Sequence, residues 1–274
     1  MKKNLLTLLF FVLCLSAFSQ KTEYTQLNNI RYYPDSLNQA DKYLSNQCVL
    51  DIYYPKNQKS FKTVVWFHGG GLTGGRKEIP SALRDKGICV VGVGYRLAPN
   101  VKAPDYIKDA AAAVAWTFRN IQKYGGDPSL IFLSGHSAGA YLVDMVTLDK
   151  QWLNTYGIDA NKIAGLISLS AQAITHFNIR KERGLADTKV IVDSLAPLNL
   201  VRADAPPTLL VTGDRELEML GRYEENAYLY RMFKLVGHKD VRLLELQGYD
   251  HGGMAEPAFP LLLKEMDRVS QLRK

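Results

Sequence analysis

Leu130 to Met145, LIFLSGHSAGAYLVDM, joins an apolar run, a tight turn and the start of a helix within one short stretch. Ile131, Phe132 and Leu133 are β-prone, Gly135-His136-Ser137-Ala138-Gly139 is a G-x-S-x-G, and Ala140 to Leu148 favours helix. This order of elements is that of a nucleophile elbow, in which a serine is held on a sharp strand-to-helix turn. Glycines are needed at both flanks because the backbones of strand and helix crowd each other there. The turn also sets Ser137 at a helix N-terminus, where free N–H groups and the positive end of the helix dipole favour an oxyanion. A G-x-S-x-G alone is a weak motif, and the strand before it and the helix after it give it weight.

Outward from the elbow, the chain alternates strands and helices. Gln47 to Tyr54 alternates like an early strand, while Lys62 to Phe67 (KTVVWF) and Gly87 to Tyr95 (GICVVGVGY) are nearly continuous apolar runs. Continuous runs belong to strands covered on both faces, so a mostly parallel central sheet with helices on both faces is expected. Ile107, Ala111, Val114, Phe118 and Ile121 recur at helical spacing between Pro104 and Tyr124. Strands are expected at Ile163 to Leu169, Thr208 to Thr212 and Val241 to Leu246, with helices at Arg222 to Val236 and Pro257 to Leu272. Ala171 to Pro207 breaks the alternation as a polar, irregular insertion before the strand at Thr208, and reads as a small lid, with a plain surface excursion as the alternative.

The first nineteen residues hold two lysines, an apolar run from Leu5 to Phe18, and small residues at Ala17 and Ser19 suited to cleavage after Ser19. The run is short for a bilayer span, so residues 1–19 read as a signal peptide, with a retained anchor as the rival. The mature chain is then expected outside the cytoplasm, secreted or periplasmic, without stable membrane insertion, and residues 20–274 as a single domain. Removing the two leader lysines takes the formal charge from +7 to +5. With no basic run or aromatic-interleaved basic stripe, nucleic acid is not an expected partner. Cys48 and Cys89 lie in apolar runs and could be bonded or buried as free thiols, and no spacing suggests a metal site.

His68-Gly69-Gly70-Gly71 directly follows the KTVVWF strand, at the carboxyl end where open α/β sheets bind ligands. Such a loop presents bare N–H donors, and Gly70, Gly71 and Ala138 are the candidate oxyanion-hole donors. A phosphate cradle is disfavoured because no Lys-Ser/Thr follows as a Walker motif requires. Of five histidines, His68 belongs to the glycine loop, His136 to the elbow as a hydrogen-bonding structural residue, His176 to the insertion and His238 to what reads as a solvated turn. His251, in GYDHGG after the last strand, remains as the general base, giving the order Ser137, acid, His251.

The strings FHGGG (Phe67 to Gly71), GYRLAP (Gly94 to Pro99), GGDP (Gly125 to Pro128), GHSAGA (Gly135 to Ala140), TGDRE (Thr212 to Glu216) and the closing DHGG resemble an α/β-hydrolase of the carboxylesterase and hormone-sensitive-lipase-like group. The chain is most similar to bacterial esterases of the BD-FAE type and also resembles kynurenine formamidases. The resemblance implies an α/β-hydrolase fold and a serine hydrolase needing no cofactor, acting on a small-molecule or glycan-linked ester. It further implies an acid three residues after the glycine that ends its strand, which here is Glu216, with Asp214 as the alternative acid and otherwise a brace of the turn. The larger lipase-like members carry an N-terminal helical cap and Asp before the nucleophile. This chain has a short leader and His136, so short-chain or aromatic acyl esters are expected over long-chain lipids. A formamidase or peptidase with the same three residues, or a silent hydrolase fold that only binds, are the alternatives.

Overall fold

The structure is a computed structural model that describes residues 22–273; the leader expected at 1–19 lies outside the described residues. Eight strands form one sheet: β1 (Tyr24–Arg31), β2 (Val49–Pro55), β3 (Phe61–Phe67), β4 (Cys89–Val93), β5 (Gly126–His136), β6 (Gly165–Leu169), β7 (Thr208–Gly213) and β8 (Val241–Leu246). Their spatial order is β1-β2-β4-β3-β5-β6-β7-β8. β2 pairs antiparallel with both β1 and β4, and every pairing from β4 through β8 is parallel.

The helices are α1 (Asp35–Ala40), α2 (Lys42–Gln47), α3 (Asp105–Asn120), α4 (Ala138–Leu148), α5 (Gln151–Asn154), α6 (Phe177–Glu182), α7 (Arg222–Leu235) and α8 (Ala255–Leu272). Because strand side chains alternate in direction, each central strand feeds two cores. On β3, Val65 and Phe67 face a core shared with α3 and α4, while Val64 and Trp66 face one shared with α8. Ile131 and Leu133 on β5 enter the first core and Phe132 enters the second. This two-sided cover is why the β3 and β4 sequences read as unbroken apolar runs. Leu210 and Val241 pack with Leu229 and Phe233 of α7 in a smaller third cluster.

β1, α1 and α2 carry no strong periodicity and were not foreseen from the sequence; β1 is an edge strand with mostly exposed residues, so the packing that would have marked it is missing. Cys48 and Cys89 are both buried and free. His238, expected in a solvated turn, is instead buried at 4% exposure. Its Nε2 meets the carbonyls of Ala205 and Pro206 at 3.0 and 3.2 Å, pinning the end of the 171–207 insertion before β7. Among the described residues, no helix is long and apolar enough to cross a membrane and no His/Cys/Asp/Glu group could hold a metal ion.

Candidate active site

The elbow forms where β5 turns into α4. Ser137 has φ 55° and ψ −115°, a backbone conformation that residues other than glycine rarely take. Its N–H donates to Leu169 O at 2.9 Å, tying the turn to β6. The flanking glycines are required by contact. A Cβ on Gly139 would lie 2.0 Å from Phe67 O, and one on Gly135 would lie 2.5 Å from the Gly139 carbonyl carbon. Strand β3, turn and helix therefore touch backbone to backbone, and the Ser137 hydroxyl is held at the carboxyl edge of the sheet.

His251 comes from the loop after β8, and its Nε2 stands 2.8 Å from Ser137 Oγ. The loop is anchored from the elbow: His136 Nε2 donates to the His251 carbonyl at 2.8 Å, and the two rings lie 4.9 Å apart. Burial first, and then the neighbouring His251 and Arg222, lower the His136 pKa to about 4. His136 is thus neutral near pH 7, donates its single ring proton to that carbonyl, and adds no positive charge beside His251.

The acid facing His251 is Glu218. His251 Nδ1 lies 2.8 Å from Glu218 Oε2, and the Glu218 side chain is only 1% exposed. Glu216, the expected acid, is exposed and does not reach the histidine. The turn itself explains why Glu218 and not Glu216 meets the histidine. After Gly213 the chain closes a full turn, with Glu218 N–H donating to Asp214 O at 2.9 Å, so the fifth residue beyond the glycine swings back over the strand end. A three-residue spacing assumes a shorter turn and leaves Glu216 pointing outward. Asp214, the alternative acid, is the brace: its carboxylate accepts the N–H groups of Glu216 and Gly248 at 2.9 and 2.8 Å. These bonds lower its pKa. The signal for Glu218 was present as a third carboxylate four residues after Asp214, the spacing of one helical turn.

Glu218 is fully partnered. Its Oε1 accepts Ser170 Oγ–H at 2.6 Å and Gly213 N–H at 2.9 Å, and its Oε2 also accepts Met219 N–H at 3.2 Å. Burial opposes ionisation, but the bonds from His251, Ser170 and Gly213 outweigh it and hold the carboxyl at about 2. Ser170, at the end of β6, went unnoticed in the sequence because no motif marks it.

Gly70 and Gly71 line a cavity of about 250 Å³ together with His136, Ser137, Phe177, Met219 and His251. Ala138 is the first residue of α4, so its N–H has no partner within the helix. Gly70 and Gly71 thus share the cavity with Ser137, and Ala138 follows it in the chain. His68 turns away from the cavity, stacking on Tyr95 at 4.4 Å between ring centres while Tyr95 Oη donates to its carbonyl. The insertion at 171–207 supplies Phe177 to the cavity wall, and His176 caps α6 by accepting Asn178 N–H. Arg96, in the GYRLAP string, is paired with buried Asp109 of α3 and serves the loop between β4 and α3. A hydroxyl on an imidazole whose far nitrogen meets an ionised carboxylate can pass its proton to that imidazole and become a nucleophile.

The esterase LipC of Mycobacterium tuberculosis is 27% identical over 208 residues, 69% of this chain and 50% of LipC. The chain spans half or less of the length of the curated relatives it matches. Among solved structures, a truncated carbohydrate esterase from gut microbiota superposes with a TM-score of 0.72 at 18% identity, over 92% of this chain and 99% of that one. Esterase B of Lactobacillus rhamnosis superposes at 0.71 with 20% identity, over 91% and 87%. At these identities the likeness establishes the fold, that of an α/β-hydrolase. The BD-FAE family model matches residues 50–220, from β2 through the glycine loop and elbow to the acid turn, and the chain belongs to the BD-FAE family.

Proposed function

We propose that this chain is a serine hydrolase of carboxylic esters, with Ser137 as nucleophile, His251 as general base and Glu218 as the acid that orients it. The observation that carries this reading is the unbroken line of contacts from Ser137 Oγ through the His251 ring to Glu218, each 2.8 Å long. His251 Nε2 takes the hydroxyl proton as Oγ bonds to the acyl carbon, and the carbonyl oxygen becomes an oxyanion received by the N–H groups of Gly70, Gly71 and Ala138. Collapse breaks the bond to the alcohol oxygen, which leaves with the proton from His251. Water then enters by the same base and releases the carboxylic acid and free Ser137.

The walls of Phe177, Met219 and two glycines around about 250 Å³ suit a short-chain or aromatic acyl group better than a long lipid. Esterase names among the relatives favour an ester over a formamide or peptide. The test is a hydrolysis panel of acetyl, butyryl, feruloyl, palmitoyl and N-formyl substrates with wild type and Ser137→Ala. Turnover of the short or aromatic esters, lost in S137A together with labelling by a fluorophosphonate, is expected. Better turnover of the sixteen-carbon ester, or an active S137A, would overturn the reading. Export from the cytoplasm is part of the proposal, and N-terminal sequencing of the exported protein should begin near Gln20.

A further inference from the structure

Ser170 follows β6 directly, and its side chain faces both the acid and the base. Its Oγ is 2.6 Å from Glu218 Oε1 and 3.0 Å from His251 Nδ1. The proton count decides the roles. Glu218 is ionised and can only accept, so the single Ser170 hydroxyl proton goes to it. His251 Nε2 must be free of a proton to accept one from Ser137, so Nδ1 carries the ring proton. That N–H therefore points between Glu218 Oε2 and a lone pair of Ser170 Oγ.

The backbone around Ser170 is arranged to aim this hydroxyl. Its φ is 54°, in the left-handed region that serine seldom occupies. Its N–H donates to Val211 O at 2.7 Å, and its carbonyl accepts Arg222 Nη1 at 2.5 Å. Arg222 is fully buried, and among the described residues its Nε and Nη2 have no hydrogen-bond partner and it forms no ion pair at contact distance. A buried guanidinium thus holds one carbonyl, the one that sets the direction of Ser170. Glycine would adopt this φ without strain; what serine adds is the hydroxyl.

We propose that Ser170 is a positioning residue of the hydrolytic centre: its O–H fixes the plane of the Glu218 carboxylate against His251, and its lone pair receives the Nδ1–H of the imidazolium that forms during turnover. The hydroxyl that does so is completely buried. The inference rests on the reading of Ser137, His251 and Glu218 given above.

The test compares Ser170→Gly, Ser170→Ala and Ser137→Ala on a short-chain ester. S170G keeps the left-handed backbone without strain and loses the whole CH2OH group, so relief of strain offsets part of the lost packing and its Tm should stay within a few degrees of wild type. Its kcat should fall about 10- to 100-fold, the weight of one charge-assisted hydrogen bond, with KM within about twofold. S170A, which loses the hydroxyl alone, should show the same fall in kcat with a Tm below that of S170G, because alanine keeps the Cβ strain at this φ that glycine lacks. In the wild type, proton NMR should find the His251 Nδ1 proton at low field and protected from solvent exchange, and S170G should shift it. S170G with wild-type kcat overturns the proposal. So does a wild-type Nδ1 proton in free exchange, which needs no variant to fold. An active S137A would overturn the parent reading, whereas an inactive S137A beside a fully active S170G would overturn only the role of Ser170.

Discussion

The elbow at Gly135–Gly139 and the acid turn at Gly213–Met219 do comparable work at the same edge of the sheet, yet only the first could be read correctly from residue types. At the elbow, three backbones meet within contact distance, and a Cβ at Gly139 would come 2.0 Å from Phe67 O. The identities of the residues are therefore forced by space, and the forced identities form a motif. At the acid turn, the demand is only that some carboxylate reach His251 Nδ1. The chain can meet that demand from several positions by changing how tightly it turns. A constraint on backbone volume leaves a readable string, while a constraint on where a side chain ends does not.

The sharpest test of this contrast is to remove charge at each of the acidic candidates. Glu218→Gln should lower kcat by about 10³- to 10⁴-fold, as expected when the partner that sets the histidine tautomer is lost. Glu216→Gln, altering an exposed side chain, should leave kcat within about twofold. A catalytic collapse in E216Q with an active E218Q would show that the turn closes differently. The same carboxyl has a pH signature. Its pKa is depressed from 4.5 to about 2, so the stability it contributes is complete above pH 4.5 and is lost as pH falls toward 2. E218Q should flatten that part of the curve of Tm against pH.

On the elbow side, Gly139→Ala should destabilise by about 3 kcal/mol or more, because the group it strikes is backbone and cannot rotate away. Thermal unfolding with a Tm within about 2 °C of wild type would contradict the crowding argument.

A smaller effect is expected nearly two turns into the elbow helix, at Asp144. It is fully buried, among the described residues only Ser168 Oγ donates to it, and burial pushes its pKa up to about 8. The folded protein keeps it protonated while the unfolded chain ionises it above 3.8, so the wild type loses stability as pH rises from 3.8 toward 8. Asp144→Asn should raise Tm by a few degrees at neutral pH, with the gain vanishing below about pH 4. An equal effect at both pH values would show that packing, and not ionisation, is responsible.

Asp214→Asn should act on stability alone. Asp214 braces the acid turn from a solvent-facing position through the N–H groups of Glu216 and Gly248. Its replacement should lower Tm by at most a few degrees and leave kcat near wild type. A large fall in kcat with unchanged Tm would return the role of acid to this residue.

Read by itself, the sequence determined seven of the sheet's eight strands, β2 to β8, and the elbow. Val64 to Phe67 and Ile131 to Leu133 are apolar on successive residues because helices cover both faces, and that burial leaves a periodicity anyone can count. It also singled out Ser137 and, by elimination among five histidines, His251, and the fold sets the two 2.8 Å apart. Only the tertiary structure decided the rest. Glu218 replaced Glu216 because one intervening turn closed on Asp214 O, and turn closure depends on the neighbouring Gly248 and Tyr249, which arrive from beyond the next strand. His238 became buried because Ala205 and Pro206 of the preceding insertion fold over it. Ser170 acquired its place because β6, the acid turn, the histidine loop and Arg222 converge on one buried point. Local sequence encodes burial and backbone crowding, since these act residue by residue. Contacts among side chains from separate segments exist only once the chain has folded, so no spacing along the chain records them.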